Sequence, residues 1–214
     1  MKKRNLIGIY LSLSLVAAFV LWTALVSTVD IQAIGPEGTE VGFATVNRFV
    51  HERVGVNMML YNITDWLGLV PIGVVFAFAV LGLVQWIKRK SLLRVDRSIL
   101  ILGGFYLVVM AVYLLFEVIA VNYRPVLIEG RLEASYPSST TMLVMCVMPT
   151  AISQLCSRIK SKVIRWICAI VIGAFILFMV GGRIASGVHW ITDIIGGALV
   201  SAGLVTAYES LIRA

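Results

Sequence analysis

The chain is short of nearly everything from which a water-soluble domain is built. Only 14% of its 214 residues are charged and 60% are hydrophobic, and the mean hydropathy is +0.97, far from ordinary globular composition. A soluble domain is thereby excluded. There are three cysteines and two histidines. Cys146, Cys156 and Cys168 are odd in number and fall within or at the ends of apolar runs, so no disulfide framework is implied. With only His51 and His189 as imidazoles and no cysteine beside them, a metal centre lacks ligands, and no metal or cofactor is expected. Low-complexity tracts and internal repeats are absent, and no polar stretch is long enough for a second domain. Residues 1–214 therefore read as one domain.

What is present is a series of long apolar runs. Crossing a bilayer core takes about 20 mostly apolar residues, and six stretches qualify: Leu6 to Val29, Trp66 to Ile87, Ile99 to Val121, Thr140 to Cys156, Val163 to Val180 and Trp190 to Tyr208. The expected fold is an all-α integral membrane bundle of six transmembrane helices. The net charge of +7 forms no continuous patch for nucleic acid; it sits in clusters between the apolar runs. Lys2, Lys3 and Arg4, then Lys88, Arg89, Lys90, Arg94 and Arg97, then Arg158, Lys160, Lys162 and Arg165, and finally Arg213 share one side. Arg48, Arg53, Arg124, Arg131 and Arg183 share the other. The positive-inside rule makes the first side cytoplasmic and puts both termini there. The first run is too long for a signal-peptide core and reads as an uncleaved helix. In the outer loop, residues 30–65, Phe43, Val46, Phe49 and Val50 suggest a short interfacial helix.

This topology gathers an unusual set of polar residues at the outer boundary. Arg124 precedes Pro125, which cannot continue a helix, so the third helix is expected to close there with a guanidinium free for an anion. Ser138 and Ser139 open the fourth helix, where a cap and the free N–H groups make an anion site. Gly181 and Gly182 are expected to turn the chain tightly before Arg183. His189 and Asp193 are four apart on one helical face, a spacing that lets a carboxylate hold one imidazole nitrogen protonated and leave the other as a nucleophile. Trp66, Trp86 and Trp190 read as interfacial anchors. The small residues from Gly196 to Gly203 read as helix packing.

In order, Glu117 to Pro125 (EVIAVNYRP), Pro137 to Thr140 (PSST) and Gly182 to Asp193 (GRIASGVHWITD) resemble the three motifs of the type 2 phosphatidic acid phosphatase superfamily, written KxxxxxxRP, PSGH and SRxxxxxHxxxD. The resemblance implies a lipid phosphatase of the cell membrane acting at the extracytoplasmic side. In it His189 attacks phosphorus to form a phosphohistidine and Asp193 orients it. Arg124, Arg183 and the backbone of Ser138 and Ser139 hold the phosphate oxygens. Three departures from the pattern matter: Glu117 stands for Lys, Gly182 for Ser, and Thr140 for the His that protonates the leaving group. Without that acid a lipid diphosphate, such as a polyprenyl diphosphate, is the expected substrate, because its leaving group already spreads its charge. His51 is the one other imidazole that could act in place of the acid. Glu117, seven residues before Arg124, is expected on the same helical face and paired with an arginine. A lipid-phosphate binding or transport protein, and a lipid phosphotransferase, are the alternatives.

Overall fold

A computed structural model describes residues 3–213; Met1, Lys2 and Ala214 lie outside the description, and with Lys2 part of the first basic cluster. The chain runs α1 (Lys3–Val26), a short hairpin of β1 (Gln32–Ala33) and β2 (Glu40–Val41), α2 (Ala44–Val54), α3 (Met58–Leu67), α4 (Leu69–Arg89), α5 (Arg97–Val118), α6 (Ser139–Arg158), α7 (Lys162–Ser186) and α8 (Ile191–Ile212). Among the described residues six helical stretches are long and apolar enough to span a membrane, with α3 and α4 joined into one of them. Among the described residues the protein is thus all-helical apart from one two-stranded hairpin and two isolated bridges.

The two least apolar spans, α6 and α8, are also the most buried. That pairing is physical: a helix surrounded by protein need not match the lipid, whereas α4 and α7 turn most of their surface outward and must. α8 packs on α1, α5 and α6, and α6 packs also on α7. Phe19, Leu102, Phe105, Met142, Cys146, Val200 and Tyr208 fill the space between them. Pro149 stays inside α6, where the neighbouring Thr150 hydroxyl turns back to the carbonyls of Cys146 and Val147; a spanning helix packed among others tolerates a proline.

Three boundaries differ from expectation. The second span begins at Met58, because Asn57 caps α3 by accepting from the Leu60 N–H at 3.0 Å; the polar side chains of Asn62, Thr64 and Asp65 hide this turn from a hydropathy reading. The third span stops at Val118, six residues before Arg124. The fifth passes straight through Gly181 and Gly182 and ends only at Gly187, with φ 64°. Gly182 serves contact rather than turning: a Cβ there would lie 2.6 Å from Thr64 Cγ2, so its absence lets α3 lie against α7. The short helix within residues 30–65 is α2, which exposes Val46 and Phe49 and lays the Arg53 guanidinium over the Phe49 ring.

Candidate active site

The site forms at the end of the bundle where α5 and α7 stop and α6 and α8 start. Gly187 takes the left-handed conformation and lies so close to Gly55 that a Cβ would be 1.9 Å from the Gly55 carbonyl oxygen. The turn it makes buries Val188 and carries His189 inward; the imidazole side chain is 1% exposed and the Asp193 side chain 0%. The two do not bond directly. His189 Nδ1 and Asp193 Oδ2 are 3.8 Å apart, beyond hydrogen-bond reach. Ser135 stands between them, its Oγ 3.0 Å from Nδ1 and donating a short hydrogen bond to Asp193 Oδ2. The carboxylate also accepts from Asn122 Nδ2 at 3.2 Å and from the Trp190 N–H at 3.0 Å. Burial, with Arg124 and Arg183 nearby, pushes the His189 pKa down to about 4 against the pull of Asp193, so the ring is neutral at physiological pH.

Two guanidiniums flank the imidazole. Arg124 Nη1 lies 3.1 Å from His189 Nε2, and its Nε lies 3.0 Å from Glu133. Arg183, 1% exposed, gives Nη2 to Asp65 Oδ1 at 2.8 Å and to Thr140 Oγ1 at 2.6 Å. Its Nε and Nη1 are buried without a partner. A cation left with two unmet donors is a costly arrangement in an isolated protein and matches the paired oxygens of an incoming oxyanion. Tyr61 offers its ring to both, 5.7 Å from Arg124 and 4.8 Å from Arg183.

The other expected residues fall in different places. Ser138 caps α6 through Thr141, and its own N–H donates to the Asp193 carbonyl at 3.0 Å. It locks α6 to α8, which leaves the N–H groups of Ser139 and Thr140 as the orphan donors of the first turn. Thr140 anchors Arg183. Glu117 is exposed at the rim of a water-sized cavity of about 20 Å³ that also touches Ser135 and Ser139, and among the described residues it makes no ion pair. The reason is the early end of α5: Arg124 lies on an extended segment whose N–H bonds the Glu133 carbonyl, and Tyr123 bridges Ala134. The carboxylate brought to Arg124 is therefore Glu133. His51 has its pKa lowered by burial, against the opposing pull of the Gly187 backbone, and packs against Trp190, ring centroids 5.4 Å apart. The contacts the structure records for His51 among the described residues are with that loop, and none is with Thr140. Trp190 is buried, not interfacial, and bonds the Tyr123 carbonyl at 2.8 Å.

Ser135, Asn122, Glu133, Asp65 and Tyr61 were not among the sequence candidates. Asp65 alone carried a signal, as an acid immediately before the apolar run that opens at Trp66. The others lie in loops or look like ordinary polar side chains.

The bundle of membrane-length helices thus carries at one end a buried imidazole with two arginines near it. The chain belongs to the PAP2 superfamily, whose pattern it matches over residues 70–213, and its class is that of the membrane lipid phosphatases. No curated protein matches it by sequence. In fold it is similar to a transmembrane PAP2-type phosphatidylglycerolphosphate phosphatase from Bacillus subtilis, with a TM-score of 0.56 and 18% identity over 94% of this chain and 96% of the other.

Proposed function

We propose that the protein cleaves a lipid diphosphate, with a polyprenyl diphosphate favoured, at the extracytoplasmic face through a phosphohistidine on His189. The observation that carries this reading is the neutral, buried imidazole whose Nε2 faces Arg124 while Arg183 holds two unmet donors close by. In the first step the Nε2 lone pair attacks the terminal phosphorus, the P–N bond forms, and the bridging P–O bond breaks with its electron pair on the departing lipid phosphate. In the second, water attacks phosphorus, the P–N bond breaks with its electron pair returning to Nε2, and both protons of the water leave with the released phosphate, restoring the neutral imidazole. Arg183, with Arg124 turning from Nε2 to phosphate, stabilises the oxygens as charge builds. Thr140 offers no proton to an alkoxide, which is why a leaving group that is itself a phosphate suits this site. An apolar cleft of about 440 Å³, lined by Ile72, Val109, Leu143 and Val147 and bounded by Asp65 and Thr140, gives the hydrocarbon tail a place beside the phosphate.

The test is turnover of matched lipid diphosphates and monophosphates in detergent, with acid-sensitive label sought on the His189 peptide after rapid quenching. The diphosphate should be cleaved faster by the parent, and Thr140→His should help the monophosphate most. Faster parental cleavage of the monophosphate would show the leaving-group argument to be wrong. Failure of both substrates to turn over, even with Thr140→His, would favour a binding protein.

Orientation is tested separately. In a background without native cysteines, Arg131→Cys should react with an impermeant thiol reagent from outside the cell, and Leu93→Cys only after permeabilisation, as the division of basic residues requires. Inverted labelling would remove the extracytoplasmic site.

A further inference from the structure

We infer that Ser135 is the residue through which Asp193 acts on His189, so that the orienting chain runs carboxylate, hydroxyl, imidazole rather than as a direct pair. The inference rests on the reading of His189 as the nucleophile and adds a positioning residue to it.

The proton positions follow from the chemistry of each group. Arg124 can only donate, so His189 Nε2, 3.1 Å from its Nη1, is the bare nitrogen. Nδ1 then carries the hydrogen and must donate it. Its partner is Ser135 Oγ at 3.0 Å; the carboxylate at 3.8 Å is too far. Having accepted from Nδ1, the hydroxyl directs its own hydrogen to Asp193 Oδ2. No other assignment satisfies all four groups. Asp193 also accepts from Asn122 and Trp190, so the hydrogen-bonded path from its carboxylate to His189 runs through the serine, beside the direct electrostatic pull of the carboxylate on the ring across 3.8 Å.

Ser135 is placed well enough for the task. It is 2% exposed, and its N–H bonds the Asn122 carbonyl at 2.8 Å. On one side Ala134 bridges Tyr123. On the other, Tyr136 bonds Thr23 through its hydroxyl at 2.7 Å and presses its ring onto Gly196, where a Cβ would meet it at 2.6 Å. A hydroxyl that donates to a carboxylate is polarised into a better acceptor. When Nε2 bonds phosphorus, the positive charge that develops on the ring is stabilised at Nδ1–H through Ser135 by Asp193. No proton has to leave, and Nδ1 keeps its hydrogen throughout.

The experiment compares Ser135→Ala, Ser135→Cys, Ser135→Thr, Asp193→Asn, the double variant Ser135→Ala/Asp193→Asn and His189→Ala, using a soluble short-chain diphosphate and, for the phosphate pocket, binding of orthovanadate. Ser135→Ala should lose about 10²-fold in kcat, the scale of a misoriented reacting group, with KM and vanadate affinity near parental because Arg183 is untouched. Ser135→Thr, which keeps the hydroxyl, should recover most of the rate. The double variant should be no slower than Asp193→Asn alone, as for residues acting in one chain. Parental kcat in Ser135→Ala, or effects that multiply in the double variant, would overturn the relay. If the alanine variant does not fold, Ser135→Cys decides: its weak donor should lower kcat at constant KM, and a parental rate there overturns the relay equally. Parental turnover in His189→Ala is the separate outcome that removes the nucleophile reading itself.

Discussion

Replacing His189 by alanine should lower lipid diphosphate turnover by about 10⁴-fold or more, the scale on which a missing nucleophile is felt, and should eliminate the quench-trapped phosphoryl label. The same residue sets the pH response. Its pKa is pushed down to about 4, so the imidazole we propose as nucleophile stays unprotonated well below neutrality, and the acid limb of kcat/KM should lie near pH 4 to 5 rather than near the ordinary imidazole value of about 6.5. Stability should follow in the same window. The unfolded chain takes up a proton as pH falls below about 6.5 while the folded one does not, so this group's contribution is present above that value and is lost as pH falls toward 4. The groups facing the ring are Arg124, Arg183 and, through Ser135, Asp193. A pH profile with its acid midpoint at 6.5 or above would show that the imidazole is not held neutral by burial.

Arg183 carries the second large effect. Arg183→Met keeps much of the volume and removes the two free donors, and kcat/KM should fall by about 10²- to 10³-fold, the loss seen when a transition-state donor is removed. Arg183→Lys should not restore it, since a single ammonium cannot hold both Asp65 and Thr140 while presenting two parallel N–H groups to phosphate. The fold should survive either change. Asp65, the partner left behind, is 59% exposed, so no buried charge is stranded, in contrast to the usual result of breaking an ion pair in the interior. Full activity in Arg183→Lys would mean that the site needs only positive charge there and that the fork geometry is irrelevant.

Much of this was legible in the sequence, and the residues explain which part was not. The six spans follow from the apolar runs because the bilayer imposes a length. His189, Asp193, Arg124 and Arg183 stood out because ionisable groups are scarce in such a chain. Their partners did not. Ser135 and Asn122 are brought to Asp193 by an irregular segment between α5 and α6, whose path depends on the Tyr123 to Ala134 bridge and on Tyr136 settling against Gly196. No periodicity encodes that path. Glu117 was misread for the same reason: spacing of seven implies a shared face only while the helix continues, and α5 ends at Val118. Gly181 and Gly182 looked like a turn because glycine permits one, yet at Gly182 what mattered was the absence of a side chain in front of Thr64.

The hairpin and α2 lie outside the spans, but their hydrogen bonds reach the centre of the site. The Gly42 N–H donates to Asn122 Oδ1, and Asn122 holds Asp193 through its amide. Asn47 bonds the Gly42 carbonyl at 2.8 Å and Thr192 at 3.0 Å, and the Asn57 N–H bonds the Ser186 carbonyl. The Asp193 carboxylate is thus fastened partly from outside the spans, by a segment anchored through these polar ties together with the buried Val41 and Ala44 and the stacking of Phe43 on Trp22. Local opening of such a segment requires less free energy than global unfolding. Heat, chaotropes or a proteolytic nick in the hairpin therefore have a route to inactivation that leaves the helices standing, and helical content is a poor proxy for a working preparation of this protein.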